Sequence, residues 1–210
     1  MKIRLLLPML GGLLLTAMAS SAQTTRNLSS FDKVAISGGF DAVMLQEGSS
    51  ESVSLEVSGT DVDNIVTEVK GRTLEIGMKK GNYKNVKARI TVTYRNLREI
   101  ANSGSTGIEA LSVIKGDMFK IASSGSGDFK GAFDVKNLNI AISGSSDMTL
   151  KGEAAKQKFA ISGSGDIAAT ELKGNEAEVA ISGSGDVKLG VDGPVRTAVS
   201  GSGRVTSNKK

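Results

Sequence analysis

The sequence contains no cysteine, no histidine and no tryptophan. Without cysteine there is no disulfide framework, no thiolate nucleophile and no site for a lipid-anchored lipoprotein, so stability must come from packing. Without histidine, catalysis by a Ser-His pair and a His-ligated metal centre are both excluded by inventory. Aromatic residues make up 4% of the chain, which disfavours the aromatic platforms of a sugar-processing enzyme. Proline is scarce as well. After the first 22 residues only Pro194 remains, as expected where strands pair on both edges and every backbone N–H is needed for a ladder.

What is present begins with a leader. Residues 1–22, MKIRLLLPMLGGLLLTAMASSA, carry Lys2 and Arg4, an apolar run from Leu5 to Leu15, and small residues before Gln23. This is the layout of a secretory signal peptide, and the run is shorter than the roughly 20 residues a membrane-spanning helix needs. Cleavage is expected after Ala22, with Ala19 the second choice. Removing the leader takes two of the 26 basic residues and none of the 22 acidic ones, leaving 24 against 22. A balance that even, with no run of lysine or arginine, gives no basis for nucleic-acid binding. The expected product is exported, with no transmembrane segment after the leader, and resides in the periplasm, on the outer-membrane surface or in the medium.

The body of the chain repeats one phrase. SGSGD or a near copy starts at Ser103, Ser124, Ser143, Ser162, Ser182 and Ser200, at intervals of 21, 19, 19, 20 and 18 residues. A period near 20 is the signature of a solenoid. Around each phrase the apolar residues alternate with period two, as in Phe159, Ile161 and Ile167, or Val179, Ile181, Val187 and Leu189, which is strand periodicity. The sequence therefore predicts an all-β, right-handed parallel β-helix with coils of about 20 residues, its glycines turning the chain at the same place in every coil. A second corner is expected at a row of glycines at 116, 131, 152, 174 and 190. The phrase SGGFD at Ser37–Asp41 lies 66 residues before Ser103 and reads as the same turn in a less regular setting.

Residues 27–100 are strand-like but uneven, with Lys70-Gly71 as a hairpin corner and DVDNIV at 61–66 as one short helical turn. The expected organisation is a leader (1–22), an irregular β-rich half (23–102), a regular solenoid (103–206) and a polar tail (207–210). One coil has about five inward apolar side chains and needs neighbours to bury them, so the end coils need caps. Arg204 stands where other copies of the phrase have Asp. It reads as part of a polar end that keeps further strands off the exposed edge.

Two rows of residues are candidate sites. Asp128, Asp147, Asp166 and Asp186 occupy one place in successive coils and are the candidates for a calcium ladder, similar to the GGxGxD repeat of calcium-binding β-rolls. Their Lys-Gly counterparts on the far side of the coil offer no ligands, which favours turn hydrogen bonding instead. Lys130 and Lys188, two residues after their aspartates, are expected on the same side. A glycosidase pair is disfavoured because short, uniform coils make no cleft and Phe129 and Phe159 fall on the inward phase. The second row is an outward stripe of Ala141, Ala160, Ala180 and Ala198 with Ser143, Ser162, Ser182 and Ser200. It is either a docking face for a partner or a surface covered by strands of the first half, and the covered reading needs no partner. No cofactor is expected.

The opening FDKVAISGGFDAVMLQEG, the segment KGRTLEI, the junction TVTYRNLREIANSGSTGI and the SGSGD coils together resemble the head GIN domain family of "putative auto-transporter adhesins". The resemblance implies a β-helical protein of the bacterial envelope, without assigned catalytic residues. The function expected is thus a non-catalytic envelope or cell-surface module for adhesion or scaffolding, with an envelope or surface protein or a polysaccharide as partner. A carbohydrate-binding or carbohydrate-processing β-helix and a calcium-stabilised secreted module are the alternatives.

Overall fold

The computed structural model describes residues 23–208; the leader and its cleavage before Gln23 lie outside the described residues, as do Lys209 and Lys210. In chain order, β1 (Gln23–Asn27), β2 (Lys33–Ile36), β3 (Ala42–Glu47) and β4 (Ser52–Ser58) lead to a 3-10 turn at Val62–Asn64. Then come β5 (Ile65–Lys70), β6 (Thr73–Met78) and β7 (Lys87–Tyr94). The regular part follows as β8 (Glu99–Asn102), β9 (Ile108–Ala110), β10 (Ile114–Ser123), β11 (Phe129–Ile142) and β12 (Met148–Gly163). It closes with β13 (Ile167–Gly174), β14 (Glu176–Gly183), β15 (Asp186–Val191), β16 (Val195–Gly201) and β17 (Arg204–Ser207). The expected short turn at 61–66 and the hairpin at Gly71 are both in place: Asp61 accepts from the Asp63 N–H, and β5 pairs antiparallel with β6 around Gly71 at φ +62°.

From β8 to β17 the chain is a parallel β-solenoid of about six turns, as its repeat predicts. Three inward columns form its core. Val34, Ile100, Ile121, Ile140, Phe159, Val179 and Thr197 are register partners on successive rungs. Val43, Ile108, Phe129, Met148, Ile167, Val187 and Val205 make a second column on the adjoining face. The third runs Ile36, Asn102, Ser123, Ile142, Ile161, Ile181 and Val199. Away from the last rung these apolar members are buried, and each contributes roughly 1.5 to 3 kcal/mol relative to exposure. Phe129 and Phe159 are core residues, as their phase requires, and Phe133 stacks on Phe129 with ring centroids 6.0 Å apart and meets Phe119 at a tilt, 5.6 Å away.

The distant SGGFD copy sits directly beneath the first regular one. β2 pairs in parallel with β8 and β3 with β9, and the Ser105 N–H donates to the Gly38 carbonyl. The 65 intervening residues include an excursion in which β4 to β7 extend the two faces, β4 pairing antiparallel with both β1 and β7. The turn is stitched on the inside by side chains the sequence pattern hid. Thr106 Oγ1 accepts from the Phe40 N–H at 2.9 Å, Asn102 Nδ2 donates to the Thr106 carbonyl at 3.0 Å, and the Ser123 and Ser146 hydroxyls share a 2.6 Å bond.

One expectation fails. The glycines do not form one row of corners: Gly116 and Gly174 share a row with Val135 and Ala154, beside the bend, whereas Gly131 is opposite Leu150 and Gly152 opposite Phe133, at other points of the coil. The bend falls where inward spacing widens from two to three residues, from Val135 to Leu138 and from Ala154 to Gln157. Pairing there skips Lys136 and Ala155. Glycine permits a corner without imposing one, and the position is set by where the inward side chains must change face.

Candidate functional site

The outward face of β2, β8, β10, β11, β12, β14 and β16 carries a column of alanines in perfect register: Ala35, Ala101, Ala122, Ala141, Ala160, Ala180 and Ala198. Two residues on, Ser162, Ser182 and Ser200 form part of a parallel column of serines. Period-two alternation puts both columns outside, because Ile142, Ile161 and Ile181 between them point into the core. Seven rungs at about 4.8 Å give a strip about 29 Å long.

From Ala122 to Ala198 nothing among the described residues covers this strip, while Ala35 and Ala101 are half-buried. Ala141, Ala160, Ala180 and Ala198 are all exposed, as are Ser143, Ser162, Ser182 and Ser200. The expectation that first-half strands pack over it is therefore overturned. Those strands continue the stack at its N-terminal end instead of folding back along its side, since β2 already occupies the rung next to β8. The strip is a shallow trough of about 470 Å³ over the rungs from Ala141 to Ala198, continued toward Ala35 by another of about 380 Å³.

The trough has a charged rail. Two residues before the alanines, Lys33, Glu99, Lys120, Asn139, Lys158, Glu178 and Arg196 are register partners on successive rungs. Lys33 and Glu99 pair at 3.0 Å and Lys158 and Glu178 at 2.9 Å, while nearby Lys156 and Glu176 pair at 2.9 Å. The Lys156 ammonium, aided by Arg196, holds the Glu176 carboxyl below the usual range. These pairs are exposed and contribute little to stability, about 0 to 1 kcal/mol each. They do fix the long side chains along the rail, leaving the methyl and hydroxyl strip clear. Sequence reading missed the rail because its members differ in type and sign from coil to coil; the cue was the constant offset of two from each alanine.

The aspartate row is tied to backbone from rung to rung. Oδ1 of Asp128 accepts the Asp147 N–H at 3.1 Å, Asp147 accepts from Asp166 at 2.9 Å, and Asp166 accepts from Asp186 at 2.7 Å. Asp186 in turn accepts the Arg204 N–H at 2.9 Å. Each carboxylate thus ties its own turn to the next one, and one oxygen of each is engaged by backbone. No group of three or more acidic residues suited to a metal occurs among the described residues. Lys130 and Lys188 are exposed but form no ion pair with Asp128 or Asp186 among the described residues, so the partners of these carboxylates are backbone N–H groups.

No helix among the described residues is long and apolar enough to cross a membrane. The architecture recurs in solved structures. An adhesin, termed putative, from Bacteroides fragilis is 20% identical, with a TM-score of 0.73 over 89% of this chain and 96% of its own. A "putative lipid binding protein" from Parabacteroides distasonis is 20% identical, with a TM-score of 0.66 over 90% of this chain and 96% of its own. At that identity the likeness establishes the fold. No curated protein matches the sequence. The family model for the "putative auto-transporter adhesin, head GIN domain" matches residues 30–210, and the chain belongs to that family.

Proposed function

We propose that the protein is a non-catalytic, exported surface module whose solenoid holds the Ala–Ser trough against a flat region of an envelope or surface partner, protein or polysaccharide. The observation that carries this reading is the alanine column exposed from Ala122 to Ala198 beside a rail of long charged side chains. Outward strand positions elsewhere in the coils carry Lys, Glu, Asp and Thr, and the fold tolerates them there. Restricting one outward column to methyl groups serves close approach by another surface, because a flat face lets backbones draw near and excludes water over its whole length. The rigid stacking of the coils supports this, since a partner meets a surface that loses little conformational entropy on docking.

A carbohydrate-processing role has less support. All six phenylalanines are buried, which leaves no phenylalanine to stack on a sugar ring.

The test is adherence of cells displaying the mature chain, compared with cells displaying Ala160→Lys/Ala180→Lys. Both alanines are exposed, so the double variant should melt within about 1 kcal/mol of wild type. Loss of adherence with an unchanged melt supports the trough. Full adherence by the folded variant sinks it. The name of the Parabacteroides neighbour motivates a second arm in the same assay, flotation with liposomes, where trough-dependent binding would make the docked surface a lipid one.

A further inference from the structure

The two ends of the solenoid are built differently. At the N-terminal end the outermost strands are β5, antiparallel to β6, and β1, antiparallel to β4, and Arg26 reaches across from β1 to the edge of β5. Its guanidinium donates to the Ile65 carbonyl at 2.7 Å, the Thr67 hydroxyl at 2.8 Å and the Val62 carbonyl at 2.9 Å, engaging an edge carbonyl that another strand would otherwise take. At the C-terminal end β16 pairs only with β14, and β17 only with β15, among the described residues. Their other edges have no partner strand among the described residues.

The side chains of that last rung belong to core columns. Val199 follows Ile161 and Ile181, each 2% exposed, yet is itself 45% exposed. Val195 and Thr197 continue the columns of Ala177 and Val179 in the same way. The sequence expectation of a polar end is therefore half right: Arg204 is outward, but the inward positions of β16 are apolar or β-branched. The rail gives the missing chemistry. Its sign alternates from Lys158 to Glu178 to Arg196, and Arg196 has no carboxylate within ion-pair distance among the described residues. Arg204 likewise follows Asp186 on its face.

We propose that the open end is a β-augmentation site that takes an extended strand from another protein, with β-branched or aliphatic residues on its inward phase and a carboxylate on its outward phase opposite Arg196. Main-chain bonds to the free edge of β16 supply affinity, the covered valines add to it, and the charge sets register. A second copy of this chain is the wrong occupant. Tail-to-tail stacking brings two Arg196 and two Arg204 side chains to one seam, and head-to-tail stacking meets the edge that Arg26 already closes.

The probe is a synthetic peptide of residues 174–185, GNEAEVAISGSG, whose Glu178, Val179 and Ile181 stand on the other edge of β16 in the chain itself. Labelled peptide is titrated with the mature protein and followed by fluorescence anisotropy. Saturable binding is expected, weakened roughly tenfold or more when the peptide carries Glu176→Lys and Glu178→Lys, as charge pairing at an edge demands. Arg196→Glu protein should reverse that preference, and Val199→Asp should weaken both peptides without changing the melt. Equal binding of acidic and lysine peptides, or no saturation by about 1 mM, overturns the proposal and leaves the basic rung as a guard against strand pairing. Concentration-dependent dimerisation by light scattering overturns it in favour of a second copy. Val199 lines the outer end of the trough and Arg196 its rail, but the adherence variants sit at Ala180 and Ala160, one and two rungs in from the open edge, and are read by adherence instead of peptide binding, so the two readings fail independently.

Discussion

Substituting Gly163 by alanine tests the stacking of the turn most directly. Gly163 has φ +149°, and a Cβ there would overlap the carbonyl oxygen of Gly144 on the rung below. That carbonyl accepts the Ser164 N–H at 3.0 Å, so the clash cannot be relieved without opening a rung-to-rung bond. Overpacking costs about 1 to 3 kcal/mol, and a non-glycine in a sparsely populated backbone region costs about 1 to 3 more. Reduced freedom of the unfolded chain returns about 0.4 to 1. The net loss is roughly 1 to 5.5 kcal/mol, which at 2 to 4 °C per kcal/mol for a chain of this size lowers Tm by about 2 to 22 °C. Two controls separate the contributions. Gly71 has φ +62° with open space around it, so Gly71→Ala should cost no more than about 1.5 kcal/mol. Gly125 lacks a left-handed φ but its Cβ would overlap the Gly104 carbonyl, so Gly125→Ala isolates the packing cost, about 1 to 3 kcal/mol. Thermal melts by circular dichroism rank the three. A Gly163→Ala melt equal to wild type would show that the rungs are not stacked as described.

The inward register is checked by Ile161→Ala, which should lose about 2 to 5 kcal/mol from a fully packed column, against Lys158→Asp, which breaks an exposed pair worth about 1 kcal/mol at most; equal melts would mean the phase is wrong. Asp166→Asn should be nearly neutral, since Oδ1 remains to accept the Asp186 N–H, whereas Asp166→Leu removes the acceptor and destabilises. Melts in excess calcium and in chelator should coincide; a large rise with calcium that Asp166→Asn abolishes would make the row a metal site. Burial, with Glu47 nearby, pushes the Tyr94 phenol up to about 12. The unfolded chain then loses its proton first, so stability present below pH 10 should fall as pH rises from about 10 to 12. Tyr94→Phe should flatten that window in urea melts without loss at neutral pH, since Oη has no partner among the described residues; an unchanged alkaline slope would exclude Tyr94 as its source.

The sequence by itself determined which side chains face in. Alternation at Phe159, Ile161 and Ile167 needs only the geometry of a single strand, and the repeated SGSGD fixes where that strand turns, because local backbone conformation decides both. The Lys-Gly row misled for the same reason: a local preference marks where a bend is allowed, and the core decides where one occurs. Which rung lies on which was left to the tertiary structure. Ser37 stacks beneath Ser103 across 66 residues because β2 and β3 pair with β8 and β9, a long-range choice that no local period records. The aspartate row acquired its role in the same way, since the partner of each carboxylate is the backbone N–H one rung away and exists only once the coils are stacked. Whether the alanine column is covered or bare depended on where the first-half strands went, and they went to the end of the stack. Hydrophobic pattern specifies a face; only the path of the whole chain specifies what lies against it.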